Sequence, residues 1–592
     1  MLEPAVRRAL LEDERTVRFI TNRALKDAIL SNTGAFSIST SSGSIAASRV
    51  LPVRDGTGAV VSALATFPSS LYPLPPGATA GIQGMQPATL LLGALQKNPS
   101  IFSIDEPIGV TFTGTDARFR VFSPNAQCVD VEIFSNQSRA TPSRSLPMIR
   151  GVNGVWEASI PRTQAEGSYY AYSVLLAGER QPTRVVDPAA INHVGRPDRT
   201  RITDARATDP PGFRPIQRPV FTGAMKDAVI YELHVQAFTA GGRTTHRRPG
   251  TYLGLVETGT TFSSDRTVAT GLDHLKELGV THVQLMPVSE FVPAPGSKDG
   301  YDWGYWLLAW MSPRGDFASS EDGDARLREF KQMVQHLHAE GIGVIVDLPL
   351  AQLSAQSSIE AIAPGAYTFM EANGRPATIA DQAYRIDSSV PAARALMLQT
   401  VRFWMEEMGA DGVRIEALGH IDKTTAEEIL ATAKAINPAA LVYGTPWGTG
   451  PSPHGQATDK AALAGTGVAA YNDAYRDALK GSPSGNATGF VQEPRRLARS
   501  VEGLIAGSIG EFATSSNDVV NLLTDHDGCT LWDKLATTTD LSDQERMKLH
   551  LLAQGILMVS QGGVLFNGGD ELMWSRNGEC WGWEAGLQVN TT

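Results

Sequence analysis

The sequence predicts a (β/α)8 barrel preceded by all-β N-terminal domains, and three observations predict it. From residue 228 onward, short and nearly continuous apolar segments recur behind helical stretches. Upstream of them, segments that alternate apolar and polar residues are separated by turn residues. A proline-rich joint (Pro210, Pro211, Pro215, Pro219) divides the two patterns. Strands buried on both faces read as continuous β-branched runs, whereas strands with one wet face alternate.

Residues 1–104 mix alternating runs such as Thr16-Val17-Arg18-Phe19-Ile20 with a Ser/Thr/Gly-rich stretch over 37–48. They read as a small β-rich domain, and Leu71-Tyr72-Pro73-Leu74-Pro75-Pro76-Gly77 reads as loop or linker. Residues 105–205 form the next domain. Arg118-Phe119-Arg120-Val121-Phe122 and Val129-Asp130-Val131-Glu132-Ile133-Phe134 flank Ser123-Pro124-Asn125, a strand–turn–strand signal. Trp156 and Tyr169-Tyr170-Ala171-Tyr172 extend the series into an antiparallel sandwich.

Residues 206–592 carry the barrel pattern. Strands are expected at 228–234, 280–287, 343–347, 412–416, 441–444, 519–524 and 563–566, with helices ahead of the second and third. So long a succession favours a closed barrel over an open sheet. Side chains at the C-terminal ends of barrel strands carry the chemistry of this fold, and Asp347, Glu416, Thr445 and Asp527 all fall there.

Composition bounds the function. A chain of 592 residues with 42% apolar and 19% charged content suits a large globular core. A net charge of −11 without a basic block excludes nucleic acid as a main partner. No run approaches the roughly 20 apolar residues that span a bilayer. Glu3 to Arg23 lacks the apolar core of a secretory signal, so a cytoplasmic location is expected. The three cysteines (Cys128, Cys529, Cys580) are too scattered for a zinc cluster and too few for a disulfide framework, and their odd number suits a reducing compartment. No metal or cofactor is expected. His234 and His282 lie in apolar strands and read as core histidines, and the Gly562-Gly563 and Gly568-Gly569 pairs as turns.

Five segments, in order and at barrel spacing, carry a resemblance: Tyr231-Glu232-Leu233-His234-Val235, Tyr301-Asp302-Trp303-Gly304-Tyr305, Gly412 to Gly419, Tyr443-Gly444-Thr445-Pro446-Trp447, and His526 to Leu535. From about residue 105 to 575 the chain resembles the pullulanase (type I) branch of glycoside hydrolase family 13, the α-amylase superfamily. Residues 109–200 are similar to the family 48 carbohydrate-binding module that precedes such barrels. The resemblance implies retaining hydrolysis of an α-glucosidic bond, in which an Asp attacks the anomeric carbon, a Glu protonates the leaving oxygen, and a second Asp steadies the distorted sugar. Carried over, the nucleophile position is Glu416, the acid/base position Thr445 and the stabilising position Asp527. The resemblance also implies substrate contacts from Tyr305, Trp303, Arg414, His526, Asp347 and Trp447.

The departures are as informative as the matches. Glu416 adds a methylene to the expected aspartate, and a misplacement of about an ångström can cost ~100-fold in rate. Thr445 cannot exchange a proton near neutral pH as a tuned carboxyl does, a transfer worth ~10²–10⁴-fold. The Asn-His pair expected after Asp347 is replaced by Ala351 and Gln352. The family's C-terminal β-sandwich is expected to be missing, since about twenty residues follow the last strand segment.

The leading reading is therefore a pullulanase-like pseudoenzyme that binds an α-glucan or malto-oligosaccharide. A rival makes it an active α-1,6-glucan hydrolase with altered catalytic residues. A third makes it a scaffold subunit paired with an active amylolytic enzyme.

Overall fold

The computed structural model describes residues 3–590 apart from 196–198, 295, 299, 322, 372, 380–381, 448–457 and 583–585. The chain condenses into two units. One comprises Met1–Ala190, Gly195–Ile202 and Gln352–Leu396, the other Ile191–Val194, Thr203–Ala351 and Met397–Thr592.

In the first unit, eight strands between Val6 and Leu92 form one sheet. The alternating segments of 109–201 become two further sheets. Asp116–Phe122 pairs antiparallel with Gly109–Thr113 and with Val155–Pro161. Ala126–Phe134 pairs with Tyr169–Leu176. Their inward positions meet as period two requires, with Phe119 edge-on to Tyr170 at 5.2 Å between ring centroids. Asp187 is buried beneath them and accepts hydrogen bonds from Tyr170 at 2.6 Å and Tyr172 at 3.1 Å. Residues 352–396 add a three-stranded sheet (Gln352–Ser354, Ala383–Arg385, Thr378–Ile379) that no sequence signal announces.

The second unit holds the closed barrel. Its strands, numbered in chain order, are β1 (Val229–Leu233), β2 (His282–Leu285), β3 (Gly343–Leu348), β4 (Gly412–Ile415), β5 (Leu441–Gly444), β6 (Ala469–Tyr471), β7 (Val519–Leu522) and β8 (Gly563–Asn567). Each pairs parallel to the next, and β8 closes on β1 through Val229 beside Val564 and Ile230 beside Leu565. Seven of these are the segments expected from sequence. The eighth, β6, is an Ala-Ala-Tyr tripeptide too short and too poor in β-branched residues to register as a strand. Ile230, Ile345, Leu441, Tyr443, Tyr471, Val520, Leu522 and Leu565 fill the interior. Among the described residues no helix is long and apolar enough to cross a membrane.

Two glycines let β4 and β5 approach closely. A Cβ on Gly412 would lie 2.4 Å from the Leu441 carbonyl oxygen, and one on Gly444 2.3 Å from that of Ile415. This closeness brings the ends of β4 and β5, and hence Glu416 and Thr445, into contact.

The cysteine expectation is corrected. Cys529 and Cys580 form a disulfide across 51 residues of sequence, with Cα atoms 3.9 Å apart, and Cys128 is free. Spacing hides the pair because the turn after β7 and the segment after β8 meet only when the barrel closes. The bond tethers the turn that carries His526 and Asp527. Closing a loop of this length restricts the unfolded chain, so Cys580→Ser is expected to cost ~2–4 kcal/mol. Calorimetry under oxidising conditions checks this, and an unchanged melting temperature would count against a formed disulfide.

Candidate active site

Asp347 lies near the end of β3, one residue before Leu348, Arg414 lies on β4, Glu416 follows β4, Thr445 follows β5, and His526 and Asp527 follow β7, so one rim gathers all six. Arg414 is 1% exposed and Asp347 fully buried. The Arg414 guanidinium donates to both Asp347 oxygens, at 3.0 and 2.7 Å, and forms an ion pair with Glu416. The Tyr305 hydroxyl donates to Asp347 Oδ2 at 2.7 Å. Burial pushes the Asp347 carboxyl up, to about 6, against the pull of Arg414. Burial alone would lower the Arg414 pKa, but Asp347 and Glu416 outweigh it and keep the guanidinium charged.

Thr445 is fully buried. Its hydroxyl accepts from the Ala417 amide at 2.9 Å and lies 3.2 Å from Glu416 Oε2 as its donor. Ala417 has φ of 51°, the left-handed region that favours glycine, and the threonine clamp holds that turn. Thr445 is therefore a structural tie between two strand ends. It presents no group to the mouth.

Sequence reasoning missed the polar layer beneath the rim. Glu232, on β1, is fully buried and accepts from the His526 amide at 2.8 Å, His526 Nδ1 at 3.0 Å and Gln284 Nε2 at 2.8 Å. Gln284 Oε1 in turn accepts from Tyr443 at 2.6 Å and Tyr471 at 3.2 Å. A carboxylate inside the apolar run Ala228-Val229-Ile230-Tyr231-Glu232-Leu233 was the signal, because such a group is costly to bury unless paired. Burial alone would lower the His526 pKa, but Glu232 and Asp527 hold the imidazole up at about 10. His526 is thus a cation at neutral pH.

Asp527 keeps 40% of its side-chain surface open. Recession into the mouth and the neighbouring Asp525 and Glu416 raise its carboxyl pKa, while His526 opposes them. Asp525 is 1% exposed, and neither of its oxygens meets a donor among the described residues. At the rim the three carboxyl groups of Asp347, Glu416 and Asp527 outnumber the cations Arg414 and His526. A negative rim of this kind suits the positive charge that develops at an anomeric carbon.

The aromatic residues divide. Tyr305 is partly exposed and stacks on His526 with centroids 5.0 Å apart. Trp447 is 36% exposed at the end of β5. Trp303 is not an open platform. It is 7% exposed in a cluster with Ala237, Met286 and Tyr301, and it meets His526 edge-on at 4.9 Å. Of the replaced pair, Ala351 is 1% exposed and Gln352 opens the three-stranded sheet in register with Arg385. His234 caps the helix Val235–Thr239 through Nδ1, and burial lowers its pKa to about 4. His282, also buried, is lowered to about 4 for the same reason.

Comparison with known proteins decides the family. The pullulanase of Bacillus subtilis (strain 168) is 30% identical over 500 residues, covering 81% of this chain and 67% of that protein. The chain belongs to the pullulanase-type branch of glycoside hydrolase family 13. Residues 107–190 match carbohydrate-binding module 48, the isoamylase N-terminal domain. The pullulanase-family chloroplastic enzyme Pullulanase 1 of Arabidopsis thaliana is 25% identical over 589 residues, covering 81% of this chain and 59% of that protein. The chain thus spans between about three fifths and two thirds of these two relatives. A pullulanase from Anoxybacillus sp. LM18-11, solved with maltotriose, superposes with a TM-score of 0.85 at 26% identity, covering 99% of this chain and 83% of that one.

Proposed function

We propose that this pullulanase-family chain binds α-glucans or malto-oligosaccharides at the barrel mouth and has lost the ordinary hydrolytic step. One observation carries the reading. Thr445 stands where the proton donor of the family would stand, fully buried, with its hydroxyl committed to Ala417 and Glu416. The negative rim, the partly open ring of Tyr305 and the exposed Trp447 support binding, because aromatic faces give affinity for sugar rings without moving a proton. The maltotriose complex of the Anoxybacillus relative supports the ligand class.

A ligand that binds only the folded state raises the melting temperature, by roughly 2–5 °C at 100-fold excess over Kd. Maltotetraose is expected to do this for the wild-type chain, and Tyr305→Ala to remove most of the shift. Wild-type protein is expected to release no reducing sugar from pullulan, glycogen or starch. The rival reading, a working α-1,6-glucan hydrolase, is favoured by the pairing of Glu416 with Arg414 in a rim that keeps Asp527. Reducing ends that accumulate in proportion to protein and vanish in Glu416→Gln would establish it.

A further inference from the structure

Among the described residues the rim keeps a carboxylate after β4, Glu416, and one after β7, Asp527, and places none at the end of β5. Glu416 leaves 21% of its side-chain surface open beside the open face of Asp527. Between Leu441 and Trp447 the one titratable side chain is Tyr443. It is turned into the barrel, donates to Gln284 at 2.6 Å, and is held by burial well above the usual phenol pKa. Pro446 has no N–H to offer, and the Thr445 hydroxyl is already spent on the β4–β5 tie. What this removes is assistance to the leaving oxygen, a term that counts only when the leaving group needs a proton. Attack by a carboxylate on the anomeric carbon does not need one.

We propose that the barrel retains glucosyl transfer for α-glucosyl donors whose leaving group departs as a stable anion. The inference rests on the reading that the mouth binds α-glucans. In the first step a lone pair of a Glu416 carboxylate oxygen forms a bond to the anomeric carbon. The bond from that carbon to the leaving group breaks, and the leaving group keeps the electron pair. The product is a β-linked glucosyl ester of Glu416 and a free anion, with no proton moved. In the second step water or an added anion attacks the same carbon from the α face, and the ester bond breaks with its pair returning to the Glu416 carboxylate. When water attacks, its proton passes to solvent, because no base stands on β5. When azide attacks, no proton is involved and an α-glucosyl azide forms. Asp527 and the negative rim stabilise the positive charge in both steps.

The test uses the whole chain and α-maltotriosyl fluoride as donor, with fluoride release followed by an ion-selective electrode. Wild-type protein is expected to release fluoride at least ~10²-fold faster than Glu416→Gln, while pullulan stays uncleaved. Sodium azide is expected to raise turnover several-fold and to yield α-maltotriosyl azide, identified by mass spectrometry. Melting curves of both proteins with maltotetraose run in parallel. A maltotetraose shift without fluoride release above the Glu416→Gln level overturns the transfer proposal and leaves the binding reading standing. Loss of both signals in a folded wild-type chain overturns the site reading itself. Cleavage of pullulan at a rate comparable to fluoride release also overturns the proposal, since it would require a proton donor on the rim.

Discussion

Thr445→Glu combined with Glu416→Asp is expected to make pullulan cleavage measurable where wild type shows none, by returning a proton transfer worth ~10²–10⁴-fold, and still to fall short of an ordinary family member. Three features of the structure set the ceiling. The glutamate loses the hydroxyl that ties the Ala417 amide, so a turn at φ of 51° must find another partner. Thr445 is fully buried, so a longer acid must displace its neighbours before it reaches the mouth. The Asn-His pair of the family is absent, with Ala351 and Gln352 in its place, and preorganised hydrogen bonds to the sugar are worth several kcal/mol each in such sites, about 3–4 kcal/mol by deletion. Initial rates of reducing-end release separate the outcomes. Recovery of full pullulanase rates by the double variant would show that two side chains alone silence the barrel.

Glu232→Leu is expected to be the most destabilising single change in the barrel. It removes the acceptor for the His526 amide, His526 Nδ1 and Gln284 Nε2 at once, and it leaves the buried imidazolium with the more distant Asp527, at 3.9 Å, in place of its close counter-ion. Breaking a buried pair from one side costs ~3–5 kcal/mol. The pH dependence carries a sign that a simple packing defect would not. The His526 pKa is raised in the folded state, to about 10. Its contribution to stability is therefore complete below the unfolded value of about 6.5 and fades as pH rises toward the folded value. The difference in unfolding free energy between wild type and Glu232→Leu should shrink from pH 6.5 to 10. A difference that stays constant over that range would assign the loss to packing alone.

The rim and the layer beneath it differ in how far they were legible. Asp347, Arg414, Glu416, Thr445, His526 and Asp527 each lie in or just after an apolar run that can be counted off along the chain, and the structure brings them to one rim. Glu232 sits inside such a run, where its burial is visible but its partner is not, because His526 lies 294 residues away. Trp303 shows the same limit. Its residue type announces a large ring, and only the surrounding Ala237, Met286 and Tyr301 show that the ring is packed away.

By itself the sequence determined the architecture and the threonine at position 445. Continuous β-branched segments between helices can be satisfied by a parallel closed sheet, and a threonine cannot act as a carboxylic acid in any fold. Tertiary structure alone decided the β6 strand, the Cys529–Cys580 bond, the Glu232–His526 pair and the use to which Thr445 is put. Each of these depends on which distant segments closure of the barrel sets side by side. Local pattern records only what a residue prefers and which face it takes. It holds no record of the neighbour that will stand 3 Å away from it.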